Sequence, residues 1–290
     1  MHYARRYRVP PNRTIALADW KTDDTAGIAN KVKAARLLSR GIERLAAAQD
    51  RLYAQDTWAV LVILQAMDAA GKDSTIKHVM SGVNPQGCEV YGFKAPSTHE
   101  LDHDYLWRSA VALPERGRIG IHNRSYYEEV IVTRVHPEIL AQERLPPGAR
   151  GDSFWRRRFR EINRFERYLV DNGVIVLKFF LHVSKEEQRR RFLDRLEEPE
   201  KWWKFSPKDV QERARWADYM RAYEAAFRHT STPWAPWFIV PADHKWVTRL
   251  VVADIIAQTL DGLRLEYPNV PKDKLAEYAR MKKILKSVKG

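Results

Sequence analysis

The sequence predicts an α/β fold in which a parallel sheet carries helices on both faces. Short apolar runs alternate with amphipathic, capped stretches along most of the chain, as they do in βαβ architectures. The run from Val60 to Leu64 is continuously apolar, the pattern of a strand buried on both sides. It stops at a small-residue loop ending in Gly71-Lys72, and a helical pattern opens directly afterwards. Strand, loop and helix in that order make a phosphate cradle: loop N–H groups and the helix N-terminus face the anion, and lysine adds a point charge.

Each element has its own local signal. The first residues, to about Thr25, carry Pro10-Pro11 and no clear period, so they are expected to lie as an extended arm over the body. From Asn30 to Tyr53, apolar residues at Val32, Leu37, Leu38, Ile42, Leu45 and Leu52 give an amphipathic helix. After the buried strand, a helix starts at Ser74 and ends between Val79 and Gly82, and Glu89 to Phe93 is a short β-rich run. Ser97 caps a helix that continues to about Leu113, where Pro114 stops it. Arg118 to His122 is a strand, with polar Asn123, Arg124 and Ser125 at its end. A long helix from Ser153 to Asp171 closes on Asn172-Gly173, a C-terminal signal.

Val174 to Leu181 is apolar except for Lys178. Ser184 and Glu187 form a capping box before a very basic helix, and Ser206, Pro207 and Asp209 open another. Trp237 to Val240 is the last strand, and Lys245 to Leu263 the last helix of the body. The lysine-rich tail after Tyr267 reads as a peripheral helix. The chain thus divides into an arm over 1–29, a body over 30–265 with a lid at about 184–210, and a basic tail over 266–290.

Charge narrows the function. Fifty Lys and Arg stand against 37 Asp and Glu, a net +13 that favours a polyanionic partner: nucleic acid, an anionic membrane or a phosphate-rich ligand. No apolar run approaches the roughly 18 residues a membrane span needs, and the basic N-terminus lacks the apolar core of an export signal. The single cysteine, Cys88, cannot form an internal disulfide, which fits a reducing cytoplasm.

In an open parallel sheet, ligands gather beyond the carboxyl ends of the strands. One loop at that edge holds Asp68, Gly71, Lys72 and Asp73, and another holds Asn123, Arg124 and Ser125. Phosphoryl transfer needs this set: a backbone cradle, a lysine, a carboxylate for Mg²⁺ and an arginine to spread over developing charge. Against the pattern G-x-x-x-x-G-K-[ST], Ala66 replaces the first glycine and Asp73 the hydroxyl residue. The plain alternative is a glycine turn after a buried strand, with Asp68 bonding its own backbone and Lys72 in water.

A third constellation spans Ser184 to Lys208, with Arg189, Arg191, Arg195, Lys201 and Lys204 around two helices. It reads either as a lid over phosphates or as a solvated face paired with Glu186, Glu187, Glu197, Glu198 and Glu200. The run Arg156 to Arg158 reads as an outward helix face. His99, Glu100 and His103 match H-E-x-x-H, but no third ligand follows at a zinc-site spacing, so a solvated helix face explains them.

The blocks QAMDAAGKD (65–73), SGVNPQG (81–87), FKAP (93–96), YLWR (105–108), NRSYY (123–127) and WKFSP (203–207) together resemble the family-2 polyphosphate kinases. The resemblance runs from about Asn30 to Leu263. It implies a three-layer α/β/α P-loop kinase fold with a helical lid, polyphosphate as donor and nucleotides as acceptors. It also implies Mg²⁺, with Mn²⁺ as an alternative, and a cytoplasmic homodimer or homotetramer without nucleic-acid or membrane partners.

Carried over by position, Asp68, Lys72 and Arg124 become catalytic, with Asp68 on the metal. Ala69, Ala70, Gly71, Asp73, Ser74, Asn84, Asn123, Glu128 and Arg134 border nucleotide or phosphate, and the lid cations Arg189, Arg191, Arg195, Lys201 and Lys204 take polyphosphate. The family's Walker-B aspartate is Asn123 here, and Glu128 replaces an asparagine found in many members. Those departures are similar to the subgroup that phosphorylates both nucleoside mono- and diphosphates, AMP to ADP to ATP, with guanine nucleotides as further candidates. The rivals are an ATP-dependent kinase of the nucleoside-monophosphate type and a nucleic-acid-binding protein with a vestigial loop.

Overall fold

The computed structural model describes residues 3–146 and 151–287, so the outer ends of the arm and tail lie outside the described residues. Five strands form one parallel sheet: β1 (Ala59–Ala66), β2 (Cys88–Gly92), β3 (Ile119–Asn123), β4 (Val174–His182) and β5 (Trp237–Pro241). Their order across the sheet is β2-β3-β1-β4-β5. β1 is central and buried at every position, which explains its unbroken apolar run. Leu64 aligns with Asn123 on one side and Phe179 on the other, so β3 ends at this level while β1 and β4 run on to Ala66 and His182 along the same edge.

Thirteen helices are described. The first five are α1 (Tyr3–Tyr7), α2 (Lys31–Gln55), α3 (Lys72–Val79), α4 (Thr98–Leu101) and α5 (Trp107–Ala110). Next come α6 (Glu128–Val135), α7 (Pro137–Leu140) and α8 (Asp152–Asp171). The lid region holds α9 (Lys185–Glu197), a 3₁₀ turn (Pro199–Lys204) and α10 (Pro207–Ala214). The last are α11 (Trp216–Thr230), α12 (Lys245–Gly262) and α13 (Lys272–Ser287).

Several sequence expectations change. The helix expected from Ser97 to Leu113 is two short pieces. Ser97 does form a full capping box with Glu100, but Asp104 then accepts the N–H of Leu106 in a local turn that competes with helix. The arm is not extended throughout: α1 buries Tyr3 and Tyr7. Beyond it, the N–H of Val9 donates to Trp237 O at 2.9 Å, and Arg8 bridges antiparallel to Phe238. The arm therefore covers the otherwise open edge of β5. The helix after the loop starts at Lys72 rather than Ser74, because Gly71 at φ 105° turns the chain directly into it. Arg158 does not face outward; it is pinned by Glu129 at 2.7 Å and Glu161 at 3.0 Å, with Tyr105 under its guanidinium. The tail is a peripheral helix as expected, with no buried residue along α13.

Lys178 is the polar exception in β4, and the fold accounts for it. Its ammonium donates to Glu166 at 2.6 Å, to the Tyr127 hydroxyl at 2.9 Å and to Thr230 O at 2.7 Å. Tyr126 and Tyr127 both donate to Glu166, at 2.9 and 2.8 Å. Lys178 and Glu166 are fully buried, and all three ammonium protons are used. Removing one partner strands the other charge in the core. Lys178→Met is therefore expected to cost about 3–5 kcal/mol in urea unfolding, and Lys178→Met with Glu166→Gln less than that.

Candidate functional site

The neighbouring carboxyl ends of β1 and β3 put the two sequence-predicted loops face to face. After β1 the loop takes left-handed conformations at Ala69 (φ 60°) and Gly71 (φ 105°). Alternating handedness turns successive N–H groups to one face and makes an anion nest at the start of α3. Ala66 stays in the strand, so its missing glycine costs nothing; the demanding positions are Ala69 and Gly71. After β3, Arg124 is left-handed at φ 67°, a conformation an arginine adopts at a cost of order 1–2 kcal/mol. Its own N–H donates to Leu64 O at 3.0 Å, which ties it to the end of β1.

The side chains converge from there. Arg124 donates to Asp68 at 2.9 Å and to Glu128 at 3.2 Å, and Glu128, with Asp68 behind it, raises the guanidinium pKa against the effect of burial. The Asn123 amide donates to Asp73 at 2.7 Å. The carboxylate absent at position 123 thus stands across the gap, on the first turn of α3. Lys72 Nζ donates to Ala66 O at 3.3 Å. Burial, then the nearby Arg124 charge, pulls the Lys72 pKa down, with Asp68, Glu128 and Asp73 opposing.

Around these groups lies a cavity of about 560 Å³. It is lined by Asp68, Ala69, Gly71, Lys72, Asp73, Ser74, Asn123 and Arg124 from the sheet edge. From above come Arg191, Arg195, Lys201 and Lys204. Most of the expected site residues therefore meet at one place. Ala70 is buried just behind, and Glu128 acts on the cavity through Arg124. Three stand apart from the lining. Asn84 caps the turn Pro85–Gly87, Arg134 lies 5.9 Å over Trp155, and Arg189 pairs with Glu186 on the exposed side of α9.

The sequence reading missed Lys94, Asp194, Asp209 and Lys245, which also line the cavity. Lys94 follows β2 by two residues and Lys245 opens the helix after β5, so the carboxyl-end rule could have found both. Asp209 has its pKa raised by burial and by Asp68, against Arg195. The H-E-x-x-H residues lie on exposed α4 and just beyond it: His103 stacks on Trp107, and Glu100 serves the capping box.

Hard oxygen ligands fit a divalent cation here. Asp68 and Asp73 line one cavity, and the Asn123 side-chain oxygen is buried without a hydrogen-bond partner. Mg²⁺ needs only one or two carboxylates when substrate phosphates and water complete its shell. The whole arrangement can hold a chain of phosphates and neutralise charge on one of them.

Comparison with known proteins gives one family. The family model described as polyphosphate kinase 2 matches residues 28–268. An ADP-polyphosphate phosphotransferase of Rhodopseudomonas palustris is 49% identical over 282 residues, covering 97% of this chain and 98% of that one. An AMP/ADP-polyphosphate phosphotransferase of Meiothermus ruber is 44% identical over 268 residues, covering 91% and 95%. The crystal structure of polyphosphate kinase 2 from Arthrobacter aurescens TC1 superposes with a TM-score of 0.89 at 38% identity, covering 98% and 97%.

The crowded cations give a linkage test. Lys245, like Lys72, is pushed down, by burial first and then by Arg191 and Arg249. A bound polyanion favours both ammonium forms, so it moves these pKa values back up and protons are taken up on binding. Titration calorimetry with tripolyphosphate in buffers of different ionisation enthalpy, at mildly alkaline pH, is expected to show net proton uptake. Lys72→Met with Lys245→Met is expected to abolish most of it.

Proposed function

The chain belongs to the polyphosphate kinase 2 family, and we propose that it moves phosphoryl groups reversibly between inorganic polyphosphate and nucleotides, taking AMP to ADP and ADP to ATP. One observation carries the choice of donor. Eight cationic side chains line the cavity, while Phe93 is its single aromatic among the described residues. A linear polyphosphate has charge to match those cations along its length and no base to stack. An ATP donor would call for a second base platform that these residues do not supply.

In the transfer, the terminal phosphorus parts from the bridging oxygen of the chain and bonds to a phosphate oxygen of the acceptor. The shortened polyphosphate leaves with the electron pair. The N–H groups of the nest and Lys72 hold the moving phosphoryl group. Arg124, fixed by Asp68 and Glu128, spreads over its equatorial oxygens. Mg²⁺, held by Asp68 and Asp73 with phosphate oxygens, would supply further neutralisation of that charge. The reading extends to a cytoplasmic homo-oligomer. No described helix is long and apolar enough to cross a membrane, and Cys88 has no partner cysteine.

Donor competition tests the reading: with AMP as acceptor, polyphosphate is expected to support turnover and ATP to replace it poorly. The reverse order of donors would overturn it. Lys201→Ala with Lys204→Ala is expected to raise the polyphosphate KM by about tenfold or more, as losing charged phosphate contacts of about 1.5 kcal/mol requires. The AMP KM should move little.

Acceptor choice is assigned to Glu128, whose carboxylate holds Arg124 at 3.2 Å. Asparagine keeps the shape and drops the charge. Glu128→Asn is expected to lower kcat/KM for AMP more than for ADP, by about 1–3 kcal/mol. Equal losses on both acceptors would make Glu128 a support for Arg124 alone.

A further inference from the structure

The lid helix α9 is fastened at its root to the loop beneath it. Gln188 Nε2 donates to Asp68 O at 3.0 Å. Arg191 Nη1 donates to Ala69 O at 3.0 Å and to Ala70 O at 2.8 Å. Three consecutive loop carbonyls are thereby drawn towards α9. Arg191 Nη2 also reaches Ala242 O at 2.6 Å and Asp243 O at 3.1 Å, in the turn after β5. Its Nε donates to Glu187 at 2.8 Å. A guanidinium has five N–H donors, and here all five have acceptors inside the protein. The residue is only 4% exposed.

Arg191 touches the cavity, yet a phosphate could bind it only by displacing one of those acceptors. Its neighbours behave differently: Arg189 and Arg190 point outward and pair with Glu186, Glu187 and Asp194. We propose that Arg191 is a positioning residue, which holds the loop carbonyls on the far side so that the loop N–H groups face the phosphate. The loop has alanine at 69 and 70, and Ala69 must be left-handed, a conformation alanine disfavours. Gly71 alone supplies backbone freedom there. A guanidinium binding the two carbonyls that flank that turn supplies the missing restraint.

The same guanidinium joins the loop to the turn after β5, where Asp243 receives the N–H of Ser184 at 2.7 Å and so fixes the start of α9. Loop, lid root and β5 turn therefore share one knot. Beyond it, Arg195, Lys201 and Lys204 of the lid line the cavity.

The inference rests on the polyphosphate-kinase reading for its kinetic arm and stands without it for its structural arm. Arg191→Lys keeps the charge but places its donors at one point, too compact to span two loops. Its kcat is expected to fall by about 10²-fold, the scale of a small misplacement of reacting groups. The polyphosphate KM should stay within about threefold, a change under 0.7 kcal/mol. Hydrogen exchange of the amides at 69–72 should quicken, whereas Lys204→Ala should raise KM and leave that exchange unchanged. Gln188→Leu, which removes one carbonyl contact, should move exchange and kcat the same way by less, and serves if the arginine variant does not fold.

A polyphosphate KM raised as in Lys204→Ala, with loop exchange like the parent, would make Arg191 a donor-binding residue and overturn the proposal. If the parent enzyme moved no phosphate from polyphosphate, the functional reading would fail while the exchange data still decided the role of Arg191.

Discussion

The parallel register around β1 is the constraint on which the site depends. Leu64 sits level with Asn123 and Phe179, so the carboxyl ends of β1, β3 and β4 lie on one edge of the sheet and their connecting loops emerge there. The N–H of Arg124 closes on Leu64 O, which extends the sheet ladder into the site itself. A slip of one residue would turn every side chain of β3 to the other face and carry Asn123 away from Asp73. The left-handed backbone at Arg124 is tolerated because sheet and ion pairs fix both sides of it.

Behind that edge, the layer is locked by polar groups rather than by apolar packing alone. The Lys178–Glu166 pair lies between β4 and α8, and Tyr126 and Tyr127, two and three residues after Arg124, hang their hydroxyls on it. A buried pair of this kind adds little net stability compared with apolar residues, but it permits only one arrangement of its partners. Gln65 adds a second tie from β1, donating to Ser125 at 3.2 Å. The backbone that presents Arg124 is thus fixed from below, and the loop that presents Lys72 is fixed from the side by α9.

Electrostatics in the cavity follow from placement more than from net charge. Much of the basic excess on α9 is spent in i,i+3 and i,i+4 pairs on its outer face. The cavity instead collects cations from five separate segments: the loop after β1, the ends of β2 and β3, the lid, and the start of α12. Its carboxylates are few and each has a place. Asp68 orients Arg124, Asp73 faces the Asn123 amide, Asp194 pairs with Arg190, and Asp209 lies within 3.5 Å of Arg195. The Asn123 amide on β3 and the Asp73 carboxylate on α3 meet within hydrogen-bond distance, so the anionic oxygen of that pair comes from α3.

The sequence by itself determined the strands, the helices α2, α3, α8, α9, α10, α12 and α13, the caps at Ser97 and Ser184, and the two loops that make the phosphate cradle. These are properties of contiguous residues: periodicity, side-chain capping and turn chemistry act within a few positions along the chain. It could not determine what each charged residue does once folded. In Arg189, Arg190 and Arg191 the composition is identical, and only the rotation of about 100° per residue on α9 sends the third inward onto loop carbonyls more than a hundred positions earlier in the chain. Lys94, Asp209 and Lys245 reach the cavity, and Lys178 finds Glu166, for the same reason. Their roles rest on partners distant in sequence, and tertiary packing alone brings those partners within bonding range.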